Sequence, residues 1–241
     1  MILTGKQIKW AKEQGYLDIS DWDESRLNPN SYNLRLADEI ATYFEVPLIY
    51  KEWDKLDYTE RTYYWKKCET DPDFRQWFDD NIDKTGKLPK FPGEYGLDMK
   101  QNMRLVTQRI PEEGFVLQPG ILYLARTMEY TKTDKFVPML EGRSSVGRLG
   151  ISVHSTAGFG DIGFEGYWTL EISCVQPVRI YSGVEICQIY YHMVGRLAGE
   201  EAEEYYGDIY IPKDENLMKY NSGKYQKNEG IQPSMMWKEL Q

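Results

Sequence analysis

Apolar residues in this chain recur at two spacings, and the shorter one dominates. From 168 to 174 the alternation is strict: Trp168, Leu170, Ile172 and Cys174 share one face, and Thr169, Glu171 and Ser173 share the other. Short runs of similar character lie at 115–117, 121–126, 136–140, 151–156, 178–181 and 184–194. Gly and Pro turns such as Gln118-Pro119-Gly120 separate them. Short strands at this spacing predict an all-β sandwich or barrel. Helical spacing is confined to two places. Residues 4–14 predict a helix, with Thr4 and Gln7 as a capping-box pair and Gly15 as the stop. Asp71-Pro72 predicts the start of a second helix, with Asp as N-cap and Pro at the first position. Phe74, Trp77, Phe78 and Ile82 then fall on one face, and Gly86 ends it. Such an aromatic stripe docks on the body of its own protein more often than on a partner. Between the helices, Asn28-Pro29 turns the chain into a short alternating strand with Leu34 and Leu36 on one face. Asn33 and Arg35 on that strand read as structural, bonding it to its neighbours.

Composition narrows the picture. A chain of 241 residues is long enough for one full-sized domain with a sizeable core. The net charge of −9 argues against binding a nucleic-acid polymer, which needs a basic surface. Cys68, Cys174 and Cys187 are odd in number, widely spaced and without a Cys-x-x-Cys pair, so three reduced thiols in a cytoplasm are expected. No apolar run approaches a membrane span, and the first residues carry no signal-peptide pattern.

The candidate chemistry is concentrated between residues 141 and 174. Arg143, Ser144, Ser145, Gly147 and Arg148 place two cations, two hydroxyls and a permissive glycine in six positions. Paired guanidiniums suit a small polyanion such as a triphosphate, because their forked donors match phosphate oxygens. Glycines at 158, 160, 163 and 166 then surround a single acid, Asp161. Glu171 follows on the polar face of its strand, directed away from the apolar side. His154 and His192 read as strand packing, since they are not spaced as ligands. The acid pairs Asp79-Asp80 and Glu200-Glu201 read as solvated surface.

The motifs GRSSxGRxG, VHxTAG, DxGFxG and TLE, in that order, resemble the dCTP deaminase branch of the trimeric dUTPase-like superfamily. The resemblance covers the N-terminal forty-odd residues and about 115 to 230. It implies a mainly β, distorted jelly roll (β-clip) with an N-terminal helix, assembled as a homotrimer with shared active sites. One domain over 1–241 would then carry an insertion at about 50–104, helical in part, and a C-terminal lid at about 218–241. The implied activity is hydrolytic deamination of dCTP. Zinc deaminases activate water with His-x-Glu and Pro-Cys-x-x-Cys motifs, a pattern this sequence lacks. A carboxylate must then shuttle the proton, and the matching residue is Glu171. By the same match Ser144 bonds the attacking water, the Ala157 carbonyl holds it from the other side, and Arg148 orients the site. Arg143 and Ser145, with Gly147 in the same turn, belong with phosphate binding, and Asp161 with the 3′-hydroxyl. Backbone groups near Thr169 and Leu170 read the base edge. Gln188 contacts the nucleotide or is a buried strand amide. Tyr220, Lys224 and Asn228 belong to the lid, with Asn228 standing where relatives often have Gln. Mg²⁺ is expected to arrive with the triphosphate rather than in a protein cage. Gly158, just after the water-holding alanine, leaves room for a second water, so the product is expected to be dUTP or dUMP. A dUTP diphosphatase using Asp161 and a non-catalytic nucleotide sensor are the alternatives.

Overall fold

The N-terminal helix forms where its caps predict. In the computed structural model α1 spans Gly5–Glu13, Thr4 and Gln7 close a reciprocal capping box, and Gly15 leaves the helix at φ 78°. Its first turn docks on the Asn-Pro turn, the Gly5 amide donating to the Pro29 carbonyl at 2.7 Å. The structure describes residues 1–43, 105–195, 202–206, 209–212, 225–227 and 229–239, with isolated positions at 69–70, 72, 75, 97 and 99–100. The chain folds as two compact units, one of Met1–Thr42 with Val106–Pro233 and one of Tyr43–Leu105 with Ser234–Gln241.

The first unit is mainly β, as expected. Its strands are β1 (Leu17–Ile19), β2 (Tyr32–Thr42), β3 (Val106–Arg109), β4 (Phe115–Leu117), β5 (Tyr123–Thr133), β6 (Phe136–Gly142), β7 (Ile151–Val153), β8 (Glu165–Cys174), β9 (Val178–Ile180), β10 (Glu185–Met193), β11 (Ala202–Tyr206) and β12 (Ile209–Pro212). The main sheet runs β6-β10-β2-β5-β8-β7, with β1 on β5 and β3 on β2. The pairs β4–β9 and β11–β12 form two smaller sheets. β8 alternates as its sequence predicts: Trp168, Leu170, Ile172 and Cys174 are buried, and Thr169, Glu171 and Ser173 are half-buried. It begins earlier than the apolar run, because Glu165 and Gly166 pair with Lys132 and Thr131 of β5. β7 ends earlier than expected, at Val153, because His154 takes a left-handed φ of 51°.

In the second unit Glu69 and Thr70 are already helical, with Pro72 and Arg75, so the helix is under way upstream of the expected Asp71 cap. Pro is tolerated in the first turn, whose amides have no intrahelical partner. Phe74, Trp77, Phe78 and Ile82 lie outside the described residues, as does Cys68. Cys174 and Cys187 are free and buried. Among the described residues no helix is long and apolar enough to cross a membrane.

The register of the sheet shifts twice around one carboxylate. β2 slips against β5 between Leu36 and Ile40, and β5 slips against β8 between Arg126 and Tyr130. Thr127 fills the second irregularity: its hydroxyl accepts from the Trp168 amide at 3.1 Å and donates to the Glu129 carbonyl at 2.8 Å. The Glu129 side chain is 0% exposed. It accepts from the Arg35 backbone amide at 2.8 Å and from Arg35 Nε at 2.6 Å, and it pairs with Arg26 Nη1. Arg26 also donates to the Asp21 carbonyl and lies over the Tyr32 ring at 5.3 Å. Asn33 and Arg35 are therefore structural, as read from the sequence. Glu129→Gln keeps the shape and removes the charge between two guanidiniums. The expected loss is about 3–5 kcal/mol in urea unfolding, the scale for breaking a buried ion pair. A loss under about 1 kcal/mol would show that the two arginines find water or other acceptors instead.

Candidate functional site

The Arg-Ser-Ser segment is a single helical turn that follows directly on β6. Arg143 is its extended N-cap, Ser144–Gly147 form the turn, and Arg148 closes it by donating its amide to the Ser144 carbonyl at 3.1 Å. Ser144, Ser145, Gly147 and Arg148 are exposed, whereas Arg143 is half-buried and held from behind. Its Nη1 donates to the Glu185 carbonyl at 2.8 Å and pairs with Glu185 Oε2 at 2.9 Å. Asn33 donates to that same oxygen at 2.8 Å, and Asn28 donates to Asn33 Oδ1 at 2.8 Å. A chain of polar contacts thus runs from the Asn-Pro turn to Arg143. Gln188 lies alongside it. Its amide accepts from Ser31, just before β2, at 2.9 Å and donates to the Gly142 carbonyl at 3.2 Å, so it ties the strand entering the turn to the start of β2.

The second part of the site is built on β8. Glu171 is half-buried beside Thr169 on the polar face, with Leu170 buried behind them. The Glu171 carbonyl accepts from the His154 amide at 3.0 Å, which ties the start of the Ser155–Gly158 loop to the same strand. The loop then doubles back on β6: the Leu140 amide donates to the Gly158 carbonyl at 2.7 Å, and Phe159 bridges Met139. A Cβ at position 158 would collide with the Leu140 carbonyl oxygen. Glycine is required there by a neighbouring backbone, and on that side the space is filled by the carbonyl rather than left for a water. Ala157 and Asp161 are exposed, and the Asp161 carbonyl accepts from the Phe164 amide at 3.1 Å to close the next turn.

These residues form two groups. Among the described residues, no hydrogen bond or ion pair links the Glu171 carboxylate to Ser144 or Arg148. Tyr220, Lys224 and Asn228 lie outside the described residues. Two contributors, Glu185 and Gln232, went unnoticed in the sequence. Glu185 orients Arg143 together with Asn33, a contact between distant stretches with no local signature. Gln226 and Gln232 reach β8: the Glu165 amide donates to Gln226 Oε1 at 2.9 Å, and the Gln232 amide donates to Thr169 Oγ1 at 3.1 Å.

Residues 85–194 match the family model described as dCTP deaminase-like. A protein of Clostridium acetobutylicum named "dCTP deaminase, dUMP-forming" is 45% identical over 240 residues, covering 100% of this chain and 99% of its own. The chain belongs to the dCTP deaminase family. Proteins of the same name in Leptospira biflexa, 43% identical, and Hathewaya histolytica, 42% identical, also match over 100% of this chain and 99% and 100% of theirs. Among solved structures, the 2′-deoxycytidine 5′-triphosphate deaminase of Agrobacterium tumefaciens is 17% identical with a TM-score of 0.47, covering 84% of this chain and 50% of that one.

His154 gives this family member a titratable group directly behind Glu171. Burial pushes its pKa down to about 4, the Thr169 backbone offsetting only part of the effect, and its ring meets Trp168 edge-on at 6.4 Å. Both ring nitrogens are buried without a hydrogen-bond partner of ordinary geometry, so the neutral form is favoured. The unfolded chain binds this proton near pH 6.5 and the folded chain only near 4, so stability falls as pH drops through that window and the penalty levels off below it. The full effect is of order 3 kcal/mol. His154→Asn keeps a residue that tolerates positive φ. Its loss of stability between pH 7 and 4.5, read from urea midpoints, is expected to be smaller than that of the unsubstituted protein. Identical pH dependence in the two would place the acid sensitivity elsewhere.

Proposed function

We propose that this chain hydrolyses dCTP at C4, releasing ammonia, and then cleaves the triphosphate to give dUMP and diphosphate. The observation that carries the reading is full-length similarity to relatives named for that outcome, combined with Glu171 on the half-buried polar face of β8. A water adds to C4 while Glu171 takes one of its protons and delivers it to N3. Glu171 then takes the second, from the new C4 hydroxyl, and delivers it to the amine, so that C4=O forms as the C4–N bond breaks and ammonia leaves. Ser144 and the Ala157 carbonyl hold the water, and Arg148 orients the site and balances developing charge. Arg143 and Ser145, within the turn that Gly147 permits, face the phosphates. One side of the Arg143 guanidinium is already bound to Glu185, which pre-orients the remaining donors. Thr169 and Leu170 offer backbone groups to the base edge, and Asp161 meets the sugar and the water that attacks the α-phosphorus.

The substrate is the Mg²⁺ complex of the nucleotide, with phosphate oxygens and water as its ligands. Among the described residues Glu171 and the Ser144–Arg148 turn share no hydrogen bond or ion pair, and a homotrimer in which one subunit's turn meets another's β8 would bring the two groups together. The acidic net charge suits a small-molecule enzyme of the cytoplasm. The relatives' names favour this reading over a diphosphatase without deaminase activity or a regulator without chemistry.

Glu171→Gln preserves shape and removes the titratable oxygen. It is expected to keep the fold and dCTP affinity while slowing ammonia release by about 10²–10⁴, the usual weight of a positioned acid–base group. Circular dichroism, equilibrium binding of dCTP and an ammonia assay read the three quantities. Ammonia release within about ten-fold of the unsubstituted rate would remove Glu171 from the proton path.

A further inference from the structure

Among the described residues, β8 has one edge that no strand covers along half its length. β5 takes one edge from Glu165 to Ile172. β7 takes the other only at Ile172–Cys174, and the His154 amide adds the Glu171 carbonyl. Among the described residues, that second edge lacks a strand partner from Glu165 to Thr169. Bare backbone groups on a half-buried edge are costly to leave unmade. Residues from the C-terminal part of the chain satisfy those of Glu165. Glu165 donates its amide to Gln226 Oε1 at 2.9 Å and accepts from the Lys227 amide at 2.6 Å. The side-chain amide of Gln226 stands in for a strand carbonyl, and Lys227, at a left-handed φ of 55°, turns its own amide back to complete the pair. Six positions after Gln226, the Gln232 amide donates to Thr169 Oγ1 at 3.1 Å. The segment thus runs alongside β8 in the same direction, fixed at Glu165 and at Thr169. The four-residue step between those points spans about 13 Å, which the intervening chain covers easily.

We infer that Gln226 is a positioning residue of the active site, the latch that docks the C-terminal segment on the open edge of β8. Its placement decides the effect. Thr169, the second anchor, lies on the same face as Glu171 and two residues from it. A segment held at both anchors walls the polar face of β8 beside the carboxylate and keeps the Thr169 hydroxyl in use by Gln232. The base is then left to the strand's backbone groups. The Glu165 carboxylate braces the first anchor by accepting from Tyr130 on β5 at 3.0 Å. Gln226 touches no reacting atom in this scheme. It acts through the segment it holds, and the inference rests on the deaminase reading only for its kinetic consequence.

The test compares the full-length protein with Gln226→Ala and Gln226→Glu. The alanine removes the acceptor, and the glutamate restores one of the same length. The Glu165 amide is expected to exchange hydrogen about five-fold faster in Gln226→Ala, the weight of one ordinary hydrogen bond. The Leu170 and Ile172 amides, which face β5, serve as controls for the fold and are expected to be unchanged. With dCTP, the KM of Gln226→Ala is expected to rise several-fold while kcat moves less, and Gln226→Glu is expected to recover most of the loss. Equal exchange at Glu165 in the three proteins, or an unchanged KM in Gln226→Ala, overturns the latch. Faster exchange across the whole of β8 overturns it too, because Gln226 would then be a plain stabiliser of the fold. If the unsubstituted protein releases no ammonia from dCTP, the deaminase reading fails by itself, and exchange at Glu165 alone decides whether Gln226 docks the segment.

Discussion

A buried carboxylate between two arginines sets the geometry of this protein. Glu129 sits where β5 changes register against β8, two residues beyond the Thr127 position at which β5 meets the slip of β2. Such a group adds little net stability compared with an apolar core, because the desolvation of three charges offsets their attraction. Its consequence is positional. A single carboxylate that accepts from the Arg35 backbone amide, the Arg35 side chain and Arg26 leaves β2, β5 and the turn at Glu24–Arg26 with one mutual arrangement. Any slip of β2 by one residue would move Arg35 to the wrong face and strand the charge.

Both halves of the site hang from that node. Along β2, Asn33 stands two residues before Arg35 and reaches Glu185, which holds Arg143 at the mouth of the Arg-Ser-Ser turn. Along β5, the irregularity that admits Glu129 is closed by Thr127 on the Trp168 amide, and beyond it the ladder places Leu124 opposite Glu171. The phosphate-facing arginine and the proton-shuttling glutamate of the proposed mechanism are thus positioned by the same buried charge through different strands. The remaining candidate groups are exposed: Ser144, Ser145, Arg148 and Asp161 lie on turns, where a nucleotide or the proposed partner subunit can reach them.

The sequence made some of this legible and hid the rest for identifiable reasons. A period-two pattern over Trp168–Cys174 is a local signal, so the face that carries Glu171 was readable. The capping box at Thr4 and Gln7 is equally local. The early end of β7 was not readable, since a left-handed histidine has no signature of its own. Nor was the early start of β8, because Glu165-Gly166-Tyr167 looks like loop until β5 is laid beside it. Gly158 was singled out correctly as special and given the wrong cause: its missing Cβ makes way for the Leu140 carbonyl, an atom eighteen positions earlier. The pairing of Gln226 with Glu165 spans 61 residues and uses a side chain as a backbone mimic, which no spacing rule detects. Gln188 was left open between two roles, and its two internal hydrogen bonds show it engaged as a strand amide.

The central claim is that one chain removes the amine of dCTP and then the diphosphate. The most direct measurement follows four products together from dCTP and Mg²⁺: ammonia, dUTP, dUMP and diphosphate. The account expects ammonia and diphosphate in equal amounts, dUMP matching both, and no accumulation of dUTP. Ammonia with dUTP building up would contradict the second step. Diphosphate from added dUTP with no ammonia from dCTP would contradict the account as a whole, leaving Glu171 without a proton to move.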